Sequence, residues 1–307
     1  MTRAGLARQR VGERAAATDS VVGAPLPPGP VTEPSMPGRR AGRFARRGLR
    51  FFDPLALIVP AVLILAWQLV IDWKVIESQY LPRPLEVYRA INGWVFGADG
   101  GSALYDGTWG VHAWASIQRV LYGFAIGSGA GAAMGCVIGW SKVGARAFDP
   151  LVQLLRPIPI TAWLPFVVVF LGTKGSSAVA LIAIGAFFPV LVNTVAGLRH
   201  VDELLLRAAQ MLGCRSRLRL LRRVGLPAAL PSIFTGLRVS AGLSWVLVIV
   251  AEMIAVKSGF GYVMWDAYYF LRMDVIVAAM LSVGLMGFGF DRLVIAVQGR
   301  VCAWTQQ

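Results

Sequence analysis

Long apolar runs alternate with short polar, often basic stretches along the 307-residue chain, and this alternation predicts its architecture. Residues 55–71 form the first run, about the length that crosses ~30 Å of hydrocarbon. Further runs cover residues 116–140, a proline-interrupted segment ending near Leu171, and residues 178–195, 232–255 and 275–297. The pattern predicts an all-α membrane protein with about six transmembrane helices. It divides into a tail (1–50), a first transmembrane helix (51–74), an external segment (75–114), a core (115–298) and a C-terminal tail (299–307).

Within the core, residues 199–227 break the apolar pattern. Leu204, Leu205, Ala208, Ala209 and Leu212 recur at helical spacing, while Glu203, Arg207 and Gln210 take the opposite face, so a short amphipathic helix is expected. Glu203 precedes Arg207 by one turn, the favoured order for an ion pair, and Gly213 stands where a left-handed stop belongs. Leu218, Leu221 and Val224 then make a second apolar row, with Arg215, Arg219 and Arg222 on another face; Gly225 and Pro227 are expected to break that helix.

The second run carries a glycine ladder: Gly123, Gly127, Gly131, Gly135 and Gly139 recur every four residues, with Gly129 beside them. Four residues turn a helix by ~400°, so the row drifts slowly around the cylinder and offers a neighbouring helix a close approach. Pro157, Pro159 and Pro165 interrupt the entry to the third run and leave carbonyls unpaired, which lipid tolerates only where protein or a water-filled cavity covers them. That segment is expected inside the assembly, as pathway lining or a kinked packed helix. Asn193 is expected to bond a partner helix or face the pathway, and Arg238 to snorkel from the first turns of its run. Glu252, ionisable within a span, is a candidate either for function or for a structural ion pair, for example with Arg119.

The chain is 56% hydrophobic and 15% charged, too apolar for an ordinary soluble domain. Its net charge of +14 does not imply nucleic acid, because the arginines flank apolar runs and no aromatic stacking platform interleaves them. Residues 1–50 hold ten Arg against Glu13, Asp19 and Glu33; residues 199–227 hold seven against Asp202 and Glu203. Arginine retention places both termini and the 199–227 loop in the cytoplasm. The Arg- and Pro-rich tail reads as disordered. Arg46-Arg47 precedes a run of full spanning length, so a retained first helix is expected in place of a cleaved signal. Cys136, Cys214 and Cys302 show no pairing or metal-ligand pattern. A membrane-embedded enzyme would need clustered catalytic groups, yet the two histidines, His112 and His200, fall on opposite sides of the predicted membrane, and no GxxxxGK[ST] is present.

The loop resembles the cytoplasmic coupling loop of binding-protein-dependent ABC importer permeases through Ala208, Ala209, Gly213, Val224, Leu226 and Pro227. Arg207 stands at that family's Glu position. Ten residues, one more than in the pattern, separate Gly213 from Val224, which predicts a longer second helix or a bulged corner. Ser116, Arg119 and Gly123, Asp149-Pro150-Leu151, Arg156 to Pro159, Phe187-Phe188-Pro189, Asn193-Thr194, Gly197-Leu198-Arg199 and Ala251-Glu252-Met253 extend the resemblance to the nitrate/sulfonate/taurine branch. The resemblance implies a homodimeric pore in the inner membrane, two cytoplasmic ABC ATPase subunits holding ATP and Mg, an external substrate-binding protein and alternating access. It implies no cofactor bound by this chain, and membrane lipid as its surroundings. The helix Val201 to Leu212 would dock on the ATPase, with Leu204, Leu205, Arg207, Ala208, Ala209, Leu212, Gly213, Arg215, Leu218, Leu226 and Pro227 as the coupling residues, and the cargo would be a sulfonate, taurine or nitrate. The alternatives are another ABC importer branch, for a pyrimidine-type vitamin precursor, an amino acid or a metal, or a non-transporting sensor or scaffold.

Overall fold

The computed structural model describes residues 54–73, 81–97 and 105–303; the tail at 1–50 and parts of the expected external segment and C-terminal tail lie outside the described residues. All regular structure among the described residues is helical. The chain divides at Pro60, and of the part before it only the opening turns of helix α1 (Pro54–Asp72) are described.

Helix α2 (Pro84–Phe96) starts on a proline whose missing N–H is one of the unpaired donors of a first turn anyway. Glu86 reaches back to the Arg83 N–H at 2.8 Å, and Gly97, at φ +68°, ends the helix. Helix α3 (Trp109–Trp140) is 32 residues long and starts seven residues before the apolar run does. It absorbs part of the segment expected outside, because Trp109 and Ala113 pack into a cluster with Trp94, Phe260 and Val275. Nearby, Tyr105 bonds Asp266 at 2.7 Å; burial and that carboxylate push the phenol well above its usual value.

Helix α4 (Lys142–Leu155) follows Ser141, whose hydroxyl accepts from the Gly144 N–H at 3.2 Å. The third run is not one straight rod. Pro157 and Pro159 open a turn, a 3-10 turn covers Ile160–Trp163, and helix α5 (Leu164–Leu171) holds eight residues, ~12 Å, with a bend of 91° to α4. Helices α6 (Gly175–Arg199), α7 (Glu203–Met211), α8 (Arg217–Ala255), α9 (Phe260–Tyr269) and α10 (Met273–Val301) complete the order. Four of them, α3, α6, α8 and α10, are long and apolar enough to cross a bilayer; α1 is a shorter apolar helix, and α4 and α5 reach that length and apolarity only together, as a bent pair.

Helix α8 corrects one expectation. Gly225 and Pro227 do not break it: it runs 39 residues with a π turn over Leu221–Gly225. The Leu226 N–H steps back five residues to the Leu221 carbonyl, so the helix changes register one residue before Pro227, which has no N–H to pair. A π turn takes up one residue more than an α turn, and it falls within the stretch whose extra residue predicts a longer second helix or a bulged corner.

Helix α6 lies between α3 and α8 and carries the main core, with Ala178, Leu181, Ile182, Ala186 and Val190 fully buried. Helices α9 and α10 pack on the other side of α8, and α2 lies against α10.

Candidate functional site

The elbow between α6 and α8 is a short, self-contained structure. Asp202 caps α7 by accepting from the Leu204 N–H at 2.8 Å, and Arg207 meets Glu203 at 2.8 Å one turn away. At the other end, Gly213 adopts φ +89° while the Cys214 N–H returns to the Ala209 carbonyl at 3.0 Å. The helix therefore satisfies its own ends. Its apolar stripe is not covered by the rest of the chain. Leu204 is 73% exposed, Leu212 89% and Met211 88%, and Leu205 and Ala208 are exposed as well; only Leu206 and Ala209 turn partly inward. Arg215 and Leu218 are exposed beyond the corner, while Leu226 and Pro227 are half-buried at the start of the apolar part of α8.

The glycines of α3 lie along α6. A Cβ at Gly123 would stand 2.6 Å from Ile182 Cβ, at Gly131 2.5 Å from the Phe187 carbonyl oxygen, at Gly135 2.6 Å from Thr194 Cβ and at Gly139 3.0 Å from Leu198 Cβ. At Gly127 it would fall inside the Ala183 peptide. Gly129 faces open space. A second seam, between α6 and α8, puts Gly236 against Pro189 and Val190, and Gly197 against Ala229 and Ser232. Its glycines are 39 residues apart in sequence, so no local period announces them.

At the far end of α8 a polar cluster is closed inside the protein. Glu252 is 0% exposed; its carboxylate meets Arg119 Nη1 at 2.6 Å, Ser116 Oγ at 2.8 Å and the Gly261 N–H at 3.0 Å. Arg119 also donates to the Ser258 carbonyl at 2.8 Å and to its hydroxyl. The Phe260 N–H donates to Ser116 Oγ, and the Gly259 N–H to His112 Nδ1, both at 3.1 Å. Gly259 stands at φ +108°, and a Cβ there would collide with the Glu252 carboxylate. The Ser258–Gly261 turn is thus folded over a buried ion pair joining α3, α8 and α9. The sequence named Arg119 and Glu252 as a candidate pair; Ser116, Ser258, Gly259, Gly261 and His112, which complete the cluster, were missed.

The remaining pathway candidates do not gather. Asn193 donates to the Pro189 carbonyl of its own helix at 2.8 Å instead of to a neighbour. Arg238, expected to snorkel from the first turns of its run, is 47% exposed and sits 3.3 Å from Asp291, beside a polar hollow of about 290 Å³ lined also by Thr235, Val239 and Gln298. Pro157 and Pro159 are exposed on this single chain. An apolar groove of about 330 Å³ runs between α3, α6 and the 3-10 turn, lined by Ile126, Ala183, Phe187, Phe188 and Trp163.

A bundle of long apolar helices threaded by glycine seams, with an amphipathic elbow held clear of it, is the build of a transport permease. Residues 125–301 match the family described as binding-protein-dependent transport system inner membrane component. The chain is 36% identical to a putative ABC transporter permease protein of Methanocaldococcus jannaschii, over 81% of this chain and 91% of that one. It is 33% identical to a putative aliphatic sulfonates transport permease of Bacillus subtilis (81% and 86% covered), and 34% identical to a nitrate import permease of Synechocystis (78% and 86%). The chain belongs to this family, as an inner-membrane permease component of an ABC importer.

Proposed function

We propose that this chain forms, as a homodimer, the membrane pathway of an importer for a small anion of the sulfonate, taurine or nitrate kind. Cytoplasmic ABC ATPases holding ATP and Mg drive it, and an external binding protein delivers the cargo. The observation that carries the coupling role is the bare apolar stripe of α7: Leu204, Leu205, Met211 and Leu212 stand in the open on a helix that is capped at each end by its own chain. An exposed apolar row of that kind is a protein-contact surface. On this reading, ATP-driven closure of the two ATPases carries α7 as a rigid lever, and the glycine seams pass the movement to the pathway. The cargo class is supported by the relatives, which are named for aliphatic sulfonates and nitrate.

Gly213→Val tests the lever. Nothing crowds Gly213, so the cost comes from forcing a β-branched residue to φ +89°, about 1–3 kcal/mol confined to an exposed corner. The variant is expected to insert normally and to lose at least tenfold in capture of ABC ATPase subunits and in uptake; unchanged capture and uptake would end the coupling role. For cargo, cells relying on this importer are expected to grow on an alkanesulfonate or taurine as sole sulfur source, or on nitrate as sole nitrogen source. Growth on none of the three, with uptake of an amino acid or a vitamin precursor instead, moves the permease to another branch. Arg238 is the open cation among the candidates, and Arg238→Gln is expected to lower anion uptake several-fold if the polar hollow lies on the route.

A further inference from the structure

The arginines at the root of α8 stand apart from the apolar tip of the elbow. Arg215, Arg217, Arg219, Arg222 and Arg223 are all exposed, and none has an ion pair among the described residues. The acidic groups nearby are already engaged: Glu203 with Arg207, Asp149 with Arg199, and Asp202 with the Leu204 N–H. Arg219, Arg222 and Arg223 fall within about 100° of arc on the helix. The opposite side packs into the protein, with Leu220 and Gly225 buried and Leu221 and Val224 half-buried. The three guanidinium groups therefore form one outward face.

The level of that face along the helix identifies what meets it. At 1.5 Å per residue the 39 residues of α8 extend ~58 Å, whereas a bilayer with its headgroups is ~40–45 Å thick. One end must reach into or past the headgroups. The exposed charges of Arg217, Arg219, Arg222 and Arg223 are all at one end and are costly in hydrocarbon, so the projecting end is the arginine end. Trp140, closing α3, packs its ring against Gly225, 3.0 Å from where a Cβ would sit, and tryptophan at the end of a span marks a membrane surface. Arg222 and Arg223 lie within one turn of that mark, and Arg219 one turn further.

We propose that Arg219, Arg222 and Arg223 bind the headgroups of anionic phospholipids in the leaflet beside the elbow. The root of α8 is then fixed to the membrane surface while α7 remains free beyond Gly213 for the ATPase. Each arginine close to such a surface strengthens association about fivefold, so three together give on the order of a hundredfold.

The test uses the full chain in detergent-free nanodiscs, without ATPase, with spin-labelled phosphatidylglycerol or phosphatidylcholine as probe. Native protein is expected to prefer phosphatidylglycerol, and the preference to fall with salt. The R219Q/R222Q/R223Q variant is expected to lose most of it, and R219K/R222K/R223K to keep it, which also shows that the helix stays folded. Equal preference in the native and Gln proteins overturns the proposal. Displacement of the lipid by millimolar inorganic phosphate would make this a site for free anions, and overturns it too. In a second assay with ATPase added, a Gln variant that loses ATPase capture in purely phosphatidylcholine discs overturns it as well, since the face would then serve an acidic protein surface. Because lipid preference is read with no ATPase present, failure here and failure of the coupling reading are separate results.

Discussion

Gly127→Leu is expected to push α3 and α6 apart and leave little folded permease. The added carbons would enter the peptide of Ala183, and backbone inside a helix cannot step aside as a side chain can. Overpacking a core commonly costs ~1–3 kcal/mol. A collision with main chain, in a seam where Gly123 and Gly131 hold the same spacing on either side, lies at or above the top of that range. The matched control is Gly129→Ala, on the same helix two residues on, with open space around it; it is expected to change stability by less than ~0.5 kcal/mol. Yield and thermal unfolding of the two purified variants check this. A Gly127→Leu protein as stable as the Gly129→Ala one would mean that the helices slide freely along the seam.

The contrast between those glycines shows what the chain discloses locally and what it does not. A residue repeated every four positions announces a close approach, because periodicity is a property of one segment. The identity of the facing helix is not, and neither is the α6–α8 seam, where Gly197 and Gly236 each act alone. The elbow was legible for the same local reason: stripe, ion pair and left-handed glycine all fall within eleven residues, whereas the Asp202 cap was not read. Proline was less reliable. Pro157 and Pro159 do bend the chain, but Pro227 follows a π turn that shifts the hydrogen-bond register ahead of it, and register is invisible in residue type. The bonding partners of Asn193 and Arg238 were not legible in the sequence. Their surroundings are set by Pro189 one turn away and by Asp291 on α10.

Arg119→Ala is expected to be the most damaging single substitution in the closed polar cluster. It removes the one cation that, among the described residues, pairs with a wholly buried carboxylate, and breaking a buried pair from one side costs ~3–5 kcal/mol. It also strips the Ser258 carbonyl of a donor, so the Ser258–Gly261 turn loosens at the same time. Glu252→Gln is expected to cost less, since the amide oxygen still accepts from Gly261 and the 12%-exposed Arg119 retains some solvent contact. Combining Glu252→Gln with Arg119→Met removes both charges. The double variant is expected to be more stable than Arg119→Ala and to lose less than the sum of the two single Glu252→Gln and Arg119→Met changes, because the penalty of the single arginine variants is the stranded charge. Unfolding of the four variants by one method decides it: additive losses would mean that the two side chains do not interact across α3 and α8. The turn supplies an independent reading, since Gly259→Ala leaves both charges in place yet drives a methyl group into the carboxylate at φ +108°. If the pair serves to hold that turn, Gly259→Ala and Arg119→Ala should expose it alike, seen as faster hydrogen exchange at Phe260 and Gly261, whose N–H groups now donate to Ser116 and Glu252.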